Sequence, residues 1–177
     1  GWSAAEYWEL TEQIFRTIVI MTARRPRNRK PVIKGTGFLL RTVSPDVMFG
    51  IRSVWREQVK IKVSDPTRTV LDMLNKPALG GGLRPTTDVF RTYMTSKYKD
   101  VDLLIKYAIR LGNGAVFKRL GFLATRFVPT EQTLIESCRS HLTKGNAKLD
   151  PSMPEDKLIT AWNLWVPANW VGEGRSD

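Results

Sequence analysis

The pattern of apolar and polar residues changes about a third of the way along the chain. Before Asp65, short β-branched runs separated by turns predict strands, and the strict alternation in residues 58–63 places Lys60 and Lys62 toward water. After Asp65, apolar residues recur at helical spacing. Strands are predicted over 14–21, 32–42, 46–50 and 58–63, and helices over 3–10, 65–74, 86–94, 100–112, 114–127 and 131–143.

Strands followed by helices predict an α+β fold, in which an N-terminal, mostly antiparallel sheet packs against a C-terminal group of about five helices. We expect one domain over residues 1–177. Residues 1–64 are mainly strands with a basic loop, residues 65–145 are helical, and residues 146–177 form a tail with one possible strand.

Residues typical of helix ends support these boundaries. Ser3 with Glu6 three residues later has the pattern of a capping box, and Asp65 before Pro66 predicts an N-cap. Gly112 and Gly145 are predicted to end helices, because glycine adopts the left-handed conformation found at many helix C-termini.

The charge balance favours a polyanionic partner. The chain has 28 Lys and Arg against 17 Asp and Glu, a net charge of +11. A basic surface gains affinity for nucleic acid by releasing condensed counterions. With a single cysteine, Cys138, and a single histidine, His141, we expect a reducing cytoplasm, no disulfide and no zinc site. We predict no cofactor and no membrane span.

The densest basic segment lies between the first predicted strands, and no acidic residue occurs between Glu12 and Asp46. Arginine suits bidentate contacts to phosphate, so this segment is predicted to hold a nucleic-acid backbone without reading bases. A solvated loop is the alternative. The predicted nucleic-acid-binding residues are Arg24, Arg25, Arg27, Arg29, Lys30 and Lys34. Three aromatics could stack on bases, although core packing or a chance surface position is the favoured interpretation: Trp55, Tyr93 and Tyr98.

The run Gly80-Gly81-Gly82 raises the question of a phosphate-binding loop. Such a loop follows a strand and continues into Lys and Ser or Thr, whereas this run follows a helix and contains no such continuation. We interpret it as a joint between two helices. Arg84 and the start of the next helix could still hold an anion.

Two sets of carboxylates could carry chemistry. Asp65, Arg68 and Asp72 are interpreted as a helix cap and a surface ion pair contributing about a few tenths of a kcal/mol, with a metal or acid–base site as the alternative. A restriction-like, magnesium-dependent nuclease would use Asp46, Glu155 and Lys157.

Several stretches resemble the AbiEi family in the same order. They include GWSAAEYWELTEQIF, RTIVIMTARRPRNRK, the Phe49-Gly50 turn, KVSDPTRTVLDMLNKPALGGG and LLIKYAIRLGNGAVFKRLGFLAT. The resemblance covers residues 1–127, and its most specific parts are DPTRT through Asp72 and KRLGFL. AbiEi proteins are antitoxins and transcriptional regulators of bacterial type IV toxin–antitoxin systems, which act in abortive infection and phage defence.

The resemblance implies a winged helix-turn-helix upstream of this chain. We interpret the chain itself as the antitoxin domain. It also implies a partner, a cognate AbiEii-like nucleotidyltransferase toxin, on which the chain acts directly or indirectly. The family motif is expected to be architectural, and comprises Asp65, Arg68, Thr69, Asp72, Gly80, Gly81 and Gly82. The expectation is therefore a non-enzymatic antitoxin domain that contacts DNA. The alternatives are the nuclease and a pure protein-interaction domain.

Overall fold

The computed structural model describes residues 1–172. The helices are α1 (Trp2–Tyr7), α2 (Pro66–Asn75), α3 (Leu83–Thr95), α4 (Val101–Leu111), α5 (Gly114–Phe127), α6 (Gln132–Ser140) and α7 (Asn169–Gly172). The strands are β1 (Thr17–Thr22), β2 (Val32–Ile33), β3 (Thr36–Thr42), β4 (Ile51–Arg56), β5 (Val59–Ser64), β6 (Ala147–Lys148), β7 (Lys157–Ile159) and β8 (Leu164–Val166). None of the helices in this part of the chain has the length and apolar character needed to cross a bilayer.

The α+β prediction is confirmed, with strands mostly early and helices mostly late in the chain. The early strands form two small sheets instead of one. In the first, β3 lies between β1, which is parallel to it, and β2, which is antiparallel. The second is the antiparallel ribbon β4–β5. The predicted strand over 46–50 was wrong, because the chain makes a 3-10 turn at Pro45–Val47 and then buries Phe49.

Two helix ends have the caps that the sequence predicts. The Asp65 carboxylate accepts a hydrogen bond from the Arg68 amide at 2.7 Å, and Gly112 ends α4 with φ 65°. The predicted capping box at Ser3 and Glu6 was wrong. Helix α1 begins at Trp2, and Ser3 Oγ accepts a hydrogen bond from the Val19 amide of β1.

The end predicted for the last long helix was also wrong. Helix α6 stops at Ser140, well before Gly145. The His141 ring lies 2.8 Å from the Ser137 carbonyl oxygen through Nδ1 and stacks on Phe117. The Ser140 hydroxyl donates to the same carbonyl at 2.9 Å, so a carbonyl of the last turn is satisfied by a side chain and the helix ends without a glycine.

The buried apolar cluster is built from the helices and the tail. Its largest fully buried members include Tyr93, Phe90, Leu104 and Leu120, and no residue of β1–β5 belongs to it. The two early sheets therefore lie beside the core and keep much of their surface exposed to solvent.

The tail forms a third small sheet in place of the single strand predicted. In it, β8 lies between β6, parallel to it, and β7, antiparallel to it. The apolar segment splits at a 3-10 turn, Thr160–Trp162, that ends with Asn163 at φ 47°. Trp162 packs against α5 where Gly121 leaves room, and a Cβ on Gly121 would overlap its ring. The tail thus completes the core.

Candidate nucleic-acid interface

The basic loop connecting β1 to β2 lies against the first sheet. The Phe38 amide of β3 donates to the Pro31 carbonyl at 2.8 Å, and the Leu40 amide donates to the Arg29 carbonyl at 2.9 Å. The end of the loop therefore continues the β2 side of the sheet, and its backbone is positioned by hydrogen bonds to β3.

Short side chains shape the rest of the loop. The Thr22 hydroxyl accepts from the Arg24 amide at 3.1 Å, and the Asn28 side-chain oxygen accepts from the Lys30 amide at 2.9 Å. Both are local turn contacts that replace backbone pairing in loops. They fix the direction of the chain at both ends of the arginine-rich stretch, so the positive side chains leave an ordered backbone.

All six predicted phosphate contacts are exposed: Arg24, Arg25, Arg27, Arg29, Lys30 and Lys34. Arg16 and Arg41 are exposed as well, so residues 13–45 carry eight basic side chains and no acidic one, against a net charge of +11 for the chain. Across residues 1–172, no ion pair involves any of these eight. Their charge is therefore available to a partner.

The three aromatic residues considered for stacking differ in how far they are buried. Tyr93 is fully buried in the core, and its hydroxyl lies 2.9 Å from that of Thr67, so the favoured packing interpretation is confirmed for Tyr93 and stacking on bases is excluded. Tyr98 is half-buried edge-on against Trp8. Trp55 on β4 is 68% exposed.

The pair predicted at the surface, Arg68 and Asp72, is buried. Arg68 Nε donates to Asp72 Oδ1 at 2.8 Å, and the two side chains are 4% and 2% exposed. The surface prediction failed because spacing on a helix does not report depth. Asp72 Oδ2 also accepts from Ser64 at 3.3 Å and lies 3.7 Å from the Gly1 nitrogen.

The same helix turn holds the base of the β4–β5 ribbon. The Arg68 guanidinium lies 4.1 Å from the Phe49 ring centroid, and Arg110 lies 4.2 Å from that centroid. The Tyr107 hydroxyl donates to Asp65 Oδ2 at 3.0 Å. Burial, and then the Asp65 carboxylate, raise the pKa of Tyr107. Asp65, Arg68 and Asp72 thus join α2, α4 and the ribbon.

Thr69, the remaining polar member of the family motif, is fully buried. Its hydroxyl donates to the Ser64 carbonyl at 3.3 Å, at the end of β5. Its contact also ties α2 to the ribbon, which is in keeping with an architectural motif.

The glycine run forms the joint between α2 and α3. Gly81 and Gly82 have φ of 83° and 98°, a region that favours glycine, and Gly82 caps α3. Gly80 is buried, and a Cβ there would lie 2.9 Å from Thr86 Oγ1. Helix α3 begins at Leu83, so the helix start predicted at Thr86 was wrong.

An acidic side chain lies close to the start of α3. Asp150 of the tail is 2% exposed, and its Oδ2 is 3.5 Å from the position of a Cβ on Gly82. A buried carboxylate this close to a helix N-terminus already supplies the negative charge that the helix dipole favours, and it would repel an anionic ligand. This arrangement supports the interpretation of the run as a joint and disfavours an anion site beside Arg84.

The carboxylates of the nuclease alternative have other partners. The Asp46 carboxylate accepts from the Ser44 hydroxyl, and this hydrogen bond lowers the pKa of Asp46. Glu155 forms an exposed ion pair with Lys148 at 2.7 Å. Lys157 is exposed at the start of β7. Within residues 1–172, no three His, Cys, Asp or Glu side chains come together as a metal site.

The remaining single residues of chemical interest are packed. Cys138 is buried, and burial raises the pKa of its thiol to about 12. Lys118 and Arg119 on α5 are buried as well, and burial lowers the pKa of both. Arg119 donates to the Lys148 carbonyl of the tail and to the Leu74 carbonyl of α2, each at 2.8 Å.

Sequence reasoning did not identify one exposed arrangement. Trp55 lies directly opposite Lys60 across the β4–β5 ribbon, and Lys62 is two residues further along β5. The alternation in residues 58–63 predicts that the lysines face water. Their position beside Trp55 depends on the strand register, which the sequence alone does not supply.

No protein-family model matches the chain, and no curated protein is significantly similar to it. The AbiEi resemblance stays a hypothesis that rests on the quoted motifs. A function is therefore inferred from the side chains exposed on the surface.

Proposed function

We propose that the chain is a non-enzymatic antitoxin domain of the AbiEi type, and that its basic loop holds the phosphate backbone of duplex DNA. The observation that carries the DNA contact is the exposed group of eight basic side chains in residues 13–45, without an acidic neighbour in sequence or an ion-pair partner in the described residues. Antitoxin activity against an AbiEii-like nucleotidyltransferase toxin is proposed from the resemblance.

The form of the loop supports backbone contact over base reading. An ordered backbone beside β3 presents several guanidinium groups from one short segment, and no recognition helix projects from it. Phosphate contacts position a protein on DNA but carry no sequence information. We therefore expect salt-dependent affinity with little preference among duplex sequences.

The test is the salt dependence of binding to a labelled duplex. In the triple variant Arg24→Gln, Arg25→Gln, Arg27→Gln, the slope of log K against log salt should become shallower by about 3, because each lost phosphate contact removes roughly 0.9. The matched control neutralises three exposed basic residues of the helical half, in Arg84→Gln, Lys106→Gln, Lys144→Gln.

The control separates position from net charge, because both variants lose three positive charges. The control should keep the wild-type slope to within about one contact. An unchanged slope in the loop variant, or an equal change in both variants, would show that the loop does not hold the DNA backbone.

Antitoxin activity is tested by expressing the chain with the toxin encoded beside its gene and counting surviving cells. Rescue by the wild-type chain supports the proposed activity, and no rescue from well-folded, well-expressed protein contradicts it. The loop variant adds a second comparison. Rescue by that variant would show that neutralisation of the toxin does not need the DNA contact.

One observation favours a second candidate, a domain that binds an acidic protein. Val32 and Ile33 on β2 are 71% and 56% exposed and directly follow the basic loop. Apolar side chains beside positive charge suit a protein surface of opposite charge. In that case the purified toxin should displace duplex DNA from the loop, and Val32→Ser should weaken toxin binding while leaving DNA affinity unchanged.

A further inference from the structure

The β4–β5 ribbon projects one aromatic side chain into solvent. All six tryptophans lie within the described residues, and Trp55 is the only one of them that is exposed, at 68%. Tryptophan is usually well buried, so a largely exposed one on a regular strand requires an explanation. Among the described residues, no other aromatic ring stacks on Trp55.

Basic side chains flank this ring on the same face of the ribbon. Residues that are directly opposite in an antiparallel pair share a face, and Trp55 is opposite Lys60 while Ser53 is opposite Lys62. Both lysines are exposed, and neither takes part in an ion pair within residues 1–172. The single acidic residue of the ribbon, Glu57, lies in the turn between the strands.

The ribbon is anchored at its base, at the end remote from the turn between β4 and β5. The Trp8 indole N–H donates to the Ser64 carbonyl at 2.6 Å, and the Arg52 guanidinium lies 5.8 Å from the Trp8 ring centroid. On the opposite face of the ribbon, Val54 and Ile61 are half-buried. Trp55 therefore faces solvent from a strand whose other side is partly covered.

We propose that the face formed by Trp55, Lys60 and Lys62 binds single-stranded DNA. Unpaired bases stack on aromatic rings while lysines hold the adjacent phosphates, and this combination binds single strands with little sequence preference. Bases inside a duplex are covered by their neighbours and cannot stack on Trp55. DNA is chosen over RNA because the loop is proposed to hold DNA, and to that extent this inference rests on the proposed function.

The test compares Trp55→Ala with the wild-type chain by fluorescence anisotropy of a labelled 20-nucleotide oligo-dT. Binding should weaken about tenfold, as expected for the loss of one base–aromatic stack. Trp55→Phe should bind with intermediate affinity, because a smaller ring still stacks. The matched control is Val59→Ala, since Val59 is 63% exposed on the other face of the same ribbon, and it should bind as the wild type does.

Two further binding measurements distinguish the ways in which the proposal could be wrong. Binding of a duplex of the same length should be unchanged by Trp55→Ala, and equal weakening for both strand forms would overturn the stacking role. Oligo-U binding at least as tight as oligo-dT binding would overturn the assignment to DNA. Failure of the proposed function appears elsewhere, as an unaltered duplex salt slope in the loop variant.

Discussion

The Arg68–Asp72 pair gives the sharpest test of the buried junction. The two side chains are 4% and 2% exposed, and their charged atoms are 2.8 Å apart. Replacing Asp72 by Asn keeps the size of the side chain and removes its charge, so the Arg68 guanidinium loses its buried counter-ion. Breaking a buried pair in this way costs about 3–5 kcal/mol, and Asn should fall near about 3 because its oxygen can still accept a hydrogen bond.

This loss should be visible in thermal unfolding. For a chain of this length, about 3 kcal/mol corresponds to a fall in Tm of roughly 6–12 °C. The urea midpoint should fall as well, with an unchanged m value if the unfolded state is unaffected. Arg68→Met should also destabilise the protein, because it leaves the Asp72 carboxylate buried.

A double-mutant cycle isolates the interaction between the two charges. For Arg68→Met with Asp72→Asn, we expect a coupling energy of about 2 kcal/mol or more, near the upper end for residues in contact. The matched control is the pair Lys148–Glu155, whose atoms are 2.7 Å apart but whose side chains are 39% and 43% exposed. Its coupling should be about 0–1 kcal/mol. Equal coupling in the two cycles would refute the conclusion that burial sets the strength of the first pair.

Other consequences of the structure can be measured directly. Gly121→Ala should lower Tm, since the overlap with Trp162 costs about 1–3 kcal/mol and outweighs the roughly 1 kcal/mol that alanine gains in a helix; a higher Tm would mean that the tail does not pack there. At pH 8, Cys138 should react with Ellman's reagent only after denaturation, because burial raises the pKa of its thiol to about 12; rapid reaction of the folded protein would contradict this. Burial raises the pKa of Tyr93, so the unfolded chain loses this proton first and the free energy of unfolding should fall as pH rises above about 10. Tyr93→Phe should flatten that decline, and an identical slope in the variant would remove Tyr93 as its source.

The sequence was most informative where local contacts determine the structure. The predicted bounds of α5 are confirmed, and so are the Asp65 cap and the Gly112 end of α4, because caps act within one helical turn. The basic loop was located by its charge and its prolines. Its position beside β3 was not predictable, because the hydrogen bonds to Phe38 and Leu40 depend on tertiary register.

The features that were not predicted depend on how deeply side chains are buried and on pairing between distant strands. Helical spacing identified Arg68 and Asp72 as partners but could not show that the sheet and α4 would bury them. The strands β6, β7 and β8 have two or three residues each, too few for a period-2 pattern to emerge from the sequence. Trp55 was identified as a candidate for stacking, whereas its lysine neighbours required the pairing of β4 with β5.

The contacts of α5 with the tail have a consequence for the order of folding during synthesis. Arg119 bridges the end of α2 to Lys148, and the Trp162 ring packs over Gly121, so the core includes groups that are synthesised only after α6. A ribosome that has finished α6 has not yet released the groups that cover α5. The nascent helices therefore keep an exposed apolar face until residues 147–166 have left the ribosome, and chaperone binding should be strongest in that interval. A stop codon after α6 should yield chains removed by proteases, not a smaller stable domain.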